Sequence, residues 1–137
     1  MYKRAFEPTN DVIAFMAFIS FFPQLVAGPI ERASNLLPQF FAKRIFNTQF
    51  ALEGLKIMLW GFFKKIVIAD GISVIIDPIF ESPEQYQGGT LAIAGLLFAV
   101  QIYADFSGYS EIAIGTARLF GFRLMTNFKY PYFSSSI

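Results

Sequence analysis

The chain has 137 residues, 55% of them hydrophobic and 18% aromatic, and only 15% are charged. A typical soluble domain carries about 25% charged residues, so this composition points to a membrane environment. The net charge of +1 gives no pull on nucleic acid, and the absence of both cysteine and histidine removes disulfides, thiolate chemistry, the commonest general base and most zinc ligation.

Any chemistry done within this chain must therefore rest on Asp, Glu, Lys, Tyr or Ser. There is no glycine-rich phosphate loop and no metal-ligand spacing, so neither a metal nor a cofactor is expected. The N-terminal MYKRAFEPTND puts Glu7, Pro8, Asn10 and Asp11 between its basic residues and the first apolar run. That order does not suit a signal peptide. The other end, YPYFSSSI, has no polar tail, and the chain reads as an internal piece of a longer membrane protein.

The first apolar run, Val12 to Ile30, is uncharged and long enough as a helix, roughly 28 Å, to cross a hydrocarbon core. Pro23 and Pro29 are expected to distort its second half. Residues 31–50 follow, with Arg32, Lys43 and Arg44 against the single acid Glu31. Their apolar residues recur at helical spacing, so part of this stretch suits an interfacial helix, and the surplus of bases marks it as cytoplasmic.

Residues 54–76 have the length to cross but carry Lys56, Lys64, Lys65 and Asp70. Lys56, Trp60 and Lys64 share a helical face, as in an interfacial anchor. A crossing here requires snorkelling lysines, or a tilted helix broken near Asp70-Gly71 and sheltered by neighbours. The loop 77–89 carries Asp77, Glu81 and Glu84 without a base, as on an outer side. A third span is expected near 90–107, then an amphipathic helix near 108–122. The fold class is thus all-α: one partial polytopic membrane domain over 1–137, about three spans plus interfacial helices, cut from a larger helix bundle. Basic residues alternate between loops in the way a multi-pass membrane protein requires.

The stretch 98–122, FAVQIYADFSGYSEIAIGTARLFGF, sets polar groups in an apolar background. Ionisable groups in such a segment cost about 2.5–3.5 kcal/mol each on insertion scales and so usually face protein or a wet cavity. On one helix, Gln101 and Asp105 stack at i, i+4. Glu111 and Arg118 share a face but sit roughly 10 Å apart along the axis, too far for an ion pair. Asp105 has no base three or four residues away. Each charge therefore needs a partner from another helix, from water or from a headgroup. Ala104, Gly108 and Gly115 form a small-residue series that admits close helix approach.

Two readings stand. Asp105, Ser107, Tyr109 and Glu111 line a polar cavity within the membrane, or Asp105-Phe106-Ser107-Gly108 forms a loop and N-cap at a helix break. Ser134–Ser136 read as loop, Trp60 with Lys64 and Lys65 as an interfacial anchor, and Arg32 as a positive-inside anchor or a contact for an anionic group.

FFPQLVAGPIERASNLLPQF (21–40), GFFKKIVIAD (61–70), QIYADFSGYSEIAIGTARLFGF (101–122) and NFKYPY (127–132) together resemble the membrane-bound O-acyltransferase family. The similarity is greatest to its bacterial branch containing the alginate O-acetyltransferase membrane subunit; the D-alanyl transfer protein of teichoic acid synthesis is a relative. The resemblance implies a multi-pass enzyme that passes an acyl group, taken from a donor on the cytoplasmic side, to hydroxyls of an exported polysaccharide such as alginate. It also implies membrane lipid as surroundings and a periplasmic acetyltransferase as partner. Family members place their active-site histidine in a Trp-His segment after the YPY motif, which falls beyond residue 137. No catalytic residue is therefore expected in this chain, and the fragment alone is expected to be inactive. Pro29, Arg32, Asp105, Ser107, Gly108, Tyr109 and Ser110 match the family pattern. The candidates for lining the cavity or meeting substrate are Arg32, Gln101, Asp105, Ser107, Tyr109 and Glu111. The alternative function is a transporter or channel subunit with Asp105 and Glu111 in a polar pathway.

Overall fold

Asp11 starts the first helix: its carboxylate accepts from the amides of Ile13 at 2.9 Å and Ala14 at 3.0 Å, satisfying two donors that a helix start leaves open. The structure, a computed structural model, describes residues 11–24, 28, 29 and 31–128, and these contain no strand. Helix α1 spans Val12–Ile19, about 12 Å of rise, and so covers only the first part of the expected 12–30 span. It stops because Ser20 folds its hydroxyl onto the Met16 carbonyl at 2.8 Å and Pro23 disfavours helix at the residue before it. A 3₁₀ turn, Phe22–Gln24, follows. Residues 25–27 and 30 lie outside the described residues, as do 1–10 and 129–137, which include Lys129, the YPY motif and the three serines.

Helix α2 spans Ala33–Phe41. Residues 42–47 are irregular, and Asn47 then caps α3, Thr48–Phe62, by accepting from the Phe50 amide at 2.9 Å. No break occurs at Asp70-Gly71. The chain instead passes through a π-helical segment, Phe63–Ala69, into α4, Asp70–Glu81. Ala69 and Asp70 both keep right-handed helical dihedrals. A short 3₁₀ turn, Pro83–Gln85, leads to α5, Gly88–Leu119, a single helix of 32 residues.

The unbroken course of α5 overturns the reading of 105–108 as a loop and N-cap, and it places 90–107 and 108–119 on one helix. Among the described residues α5 alone is long and apolar enough to cross a membrane. At 1.5 Å per residue it measures about 48 Å, well beyond the roughly 30 Å of a hydrocarbon core. Its two halves differ. The first half turns Ile93, Leu96, Phe98 and Val100 outward, whereas the second buries Ala104, Ser107, Gly108, Ser110, Ala113, Gly115 and Ala117 against the rest of the chain. Apolar outside and small or polar inside is how helices pack in lipid, where helix contact gains nothing from hiding leucine.

The helical run α3–π–α4 packs antiparallel to α5 along a glycine seam. A Cβ on Gly54 would stand 2.8 Å from the Gly115 carbonyl oxygen, and one on Gly61 would stand 2.6 Å from that of Gly108. Two glycines on each side, seven residues apart, thus bring the backbones into direct contact, as the small-residue series on α5 leads one to expect. Phe80 and Phe98 meet edge to face at 5.7 Å farther along the pair.

At the other end of the seam lies an aromatic cluster. Phe122 sits 4.6 Å from Phe21 and 4.9 Å from Phe40, ring to ring, with Leu36 and Ala117 buried beside them. The end of α5 delivers it there. Gly121, at φ 78°, permits the left-handed turn, with the Phe122 amide bonded to the Ala117 carbonyl and the Gly121 amide to that of Arg118. This pattern is a Schellman cap, and its hydrophobic contact is Phe122 on Ala117.

The chain after α5 then runs back along α2 and α5. Gln39 bonds Arg123 twice, its Nε2 donating to the carbonyl at 2.9 Å and its Oε1 accepting from the amide at 2.8 Å. Glu31, only 6% exposed, accepts from the Met125 amide at 2.7 Å.

Candidate functional site

The wider turn of the π-helical segment directs two successive lysines at α5. Lys64 Nζ lies 2.7 Å from Glu111 Oε1, with the side chains 13% and 27% exposed. The same ammonium is 5.7 Å from the Trp60 ring centre and 5.8 Å from that of Tyr103, so two aromatic faces and a carboxylate replace its water. Of the expected surface anchor, Lys64 thus turns toward α5, while Trp60 stays 53% exposed. Lys65 bridges Asp105 at 2.7 Å and Asp70 at 3.0 Å in a wetter position. Arg118 meets Glu53 at 3.2 Å. Every charge on the second half of α5 is answered from the opposite helical run.

Not every polar atom is satisfied. Gln101 Oε1, Ser107 Oγ and Glu111 Oε2 are buried without a hydrogen-bond partner, and each such atom costs about 1–3 kcal/mol unless something fills the need. Two of them, on Ser107 and Glu111, border a cavity of about 30 Å³. Lys64, Tyr103, Ser110, Ile114 and residues 126–128 complete its wall. Asn127 donates to Ser110 Oγ at 3.3 Å, and Phe128 meets Tyr103 edge to face at 6.4 Å. The returning segment is therefore the cavity's lid. The space holds one water or a hydroxyl-sized group, offered a cationic donor by Lys64, an anionic acceptor by Glu111 and both functions by Ser107.

The predicted residues separate into three groups. Ser107 and Glu111 come together in the cavity. Gln101 is on the same helix with its carbonyl oxygen buried, yet it does not border that space; Asp105 is spent on Lys65, and Tyr109, 37% exposed, also lies off the wall. Arg32 is exposed at the start of α2, its backbone amide donating to Glu31 Oε1 at 3.1 Å. Sequence reasoning missed Lys64, Tyr103 and Asn127; Ser110, named there only through the family pattern, borders the same space. Lys64 was within reach: pairing Gly54 with Gly115 and Gly61 with Gly108 in antiparallel register sets Lys64 and Lys65 opposite the acids of α5.

Over all 137 residues the chain is 39% identical to a probable alginate O-acetylase of Pseudomonas putida, of which it matches 28%. The chain belongs to the membrane-bound O-acyltransferase family. Two further relatives in this family are a peptidoglycan O-acetyltransferase of Helicobacter pylori and a teichoic acid D-alanyltransferase of Streptococcus thermophilus. The first is 37% identical over 93% of this chain and 25% of its own length, the second 27% identical over 88% and 30%. No family model matches the chain. The chain spans about a quarter of the length of the curated acyltransferases it matches.

Proposed function

We propose that this chain is part of a multi-pass inner-membrane O-acyltransferase that transfers an acetyl group from a donor on the cytoplasmic side to hydroxyls of an exported polysaccharide such as alginate. The observation that carries this reading is the 39% identity to a probable alginate O-acetylase over all 137 residues. The arrangement of α5, apolar outward and polar inward, supports a membrane helix packed within a larger bundle, to which this scheme gives about three spans from this chain. The general base on the acceptor hydroxyl is a histidine outside this sequence, and a periplasmic acetyltransferase is the partner that hands the group on. In this scheme Lys64, Ser107 and Glu111 form one polar wall of the transfer cavity, and no cofactor takes part beyond the acyl donor.

The full-length protein, expressed in an alginate-producing host stripped of its own O-acetylase, is expected to restore acetyl esters on the polymer, read by proton NMR. Glu111→Gln should lower the ester content at least severalfold, whereas Glu84→Gln in the outer loop should not. A stable, membrane-inserted protein that yields no esters would overturn the reading. Solute flux through the reconstituted protein without an acyl donor would transfer the case to a transporter. The 137-residue chain by itself is expected to acetylate nothing.

A further inference from the structure

A groove of about 710 Å³ lies away from the lysine–glutamate seam, between the irregular stretch 42–47, the start of α3 and the end of α5. Lys43, Arg44, Arg118 and Arg123 all line it, and no Asp or Glu does. Arg118 is partly neutralised by Glu53, which reaches it from outside the groove. The other three have no described carboxylate within 4.0 Å. Two of these guanidiniums are nonetheless held in place: Arg44 lies 4.0 Å from the centre of the Phe122 ring and Arg123 lies 5.3 Å from that of Phe50. Aromatic stacking fixes a guanidinium by its face and leaves its N–H fork free for an oxyanion. The N-terminus of α3, with Asn47 in the groove wall, adds positive potential of its own.

The remaining wall is apolar and open. Ile45 is 84% exposed, Phe46 74% and Phe120 56%, and all three line the groove. A soluble phosphate has no use for such surface. A phospholipid does: its phosphate meets the cations while its chains run over the isoleucine and phenylalanines.

We propose that this groove binds the phosphodiester of an anionic glycerophospholipid in the leaflet that faces residues 42–47. The inference rests on the membrane placement given under Proposed function, but its test reads lipid occupancy and is blind to acyl transfer. Acetylation without lipid selectivity sinks only the groove; lipid selectivity without acetylation sinks only the enzyme.

The test uses the full-length protein in nanodiscs of equal parts phosphatidylglycerol and phosphatidylcholine, with retained lipid identified by native mass spectrometry. The wild type is expected to retain phosphatidylglycerol over phosphatidylcholine, and Lys43→Gln, Arg44→Gln and Arg123→Gln should each lower that retention about fivefold. A photoactivatable phosphatidylglycerol should label peptides covering 42–47 and 118–123, a measurement that needs no variant and so survives one that fails to fold. Equal retention of the two lipids, retention unchanged in the triple variant, or labelling confined to other peptides would overturn the proposal. Displacement of the lipid by inorganic phosphate alone would do the same, by making the occupant a soluble anion.

Discussion

Lys64 reaches across the seam to Glu111, Nζ to Oε1 at 2.7 Å, and leaves the second carboxylate oxygen, Oε2, buried with nothing to bond. A fully formed structural ion pair would use both oxygens, because the attraction offsets desolvation only when the remaining lone pairs are met. The half-used carboxylate, beside a Ser107 hydroxyl that likewise bonds no described protein group, offers an acceptor and a hydroxyl to a third group.

Breaking that pair from one side should be costly. Glu111→Gln strands a largely buried ammonium and should lower stability by about 2 kcal/mol, whereas Lys64→Met together with Glu111→Leu should recover most of it. Denaturation of the detergent-solubilised protein measures both. A double variant no more stable than the single would show that the pair is not the source of the cost.

Ser107→Ala separates chemistry from packing. Its hydroxyl bonds no other group of the described chain, so stability should change by no more than about 1 kcal/mol, while acetylation of the polymer falls. Unchanged acetylation would remove Ser107 from the transfer cavity.

The glycine seam predicts a contrast within a single helix. Gly115→Ala would drive its Cβ to 2.5 Å from the Gly54 carbonyl oxygen, an overpacking that should cost about 1–3 kcal/mol. Gly95→Ala, with nothing within 4 Å, should gain up to about 1 kcal/mol from helix propensity. Similar effects at the two positions would mean that the helices do not meet at the seam.

Gln39 can be tested by hydrogen exchange. Gln39→Ala deletes both bonds to Arg123 and, at about 1 kcal/mol for each, should speed exchange of the Arg123 and Met125 amides by tenfold or more. Gln39→Glu keeps the acceptor but loses the donor, and should fall between. Wild-type rates in Gln39→Ala would show that Glu31 alone holds the segment.

Local chemistry made the helical character, the close-approach residues of α5 and the need for cross-helix ion partners legible from the chain itself. Gly108 and Gly115 at a spacing of seven admit few other uses in an apolar helix. What escaped was whatever depended on how one element faces another. Lys64 and Lys65 look like surface anchors when their own helix is taken alone; the glycine register sets them opposite the acids of α5, and the π-helical segment turns both onto it. Asn127 and Glu31 escaped for a related reason: their roles arise when the chain doubles back after Gly121, a tertiary event with no local periodicity. Asp105 was chosen for its cost in an apolar segment, and that cost is met by Lys65 instead of by a cavity.

The cross-helix neutralisation along the seam also bears on biogenesis. α5 alone carries Asp105, Glu111 and Arg118, and the opposite run carries Glu53, Lys64, Lys65 and Asp70. Presented to lipid singly, either element holds several uncompensated charges at about 2.5–3.5 kcal/mol each. Presented as a pair, the charges cancel at contact distance and the glycines let the backbones close on them. On the multi-pass placement proposed above, delivery into the bilayer is a property of the hairpin, and the first of the two elements made must wait for the second.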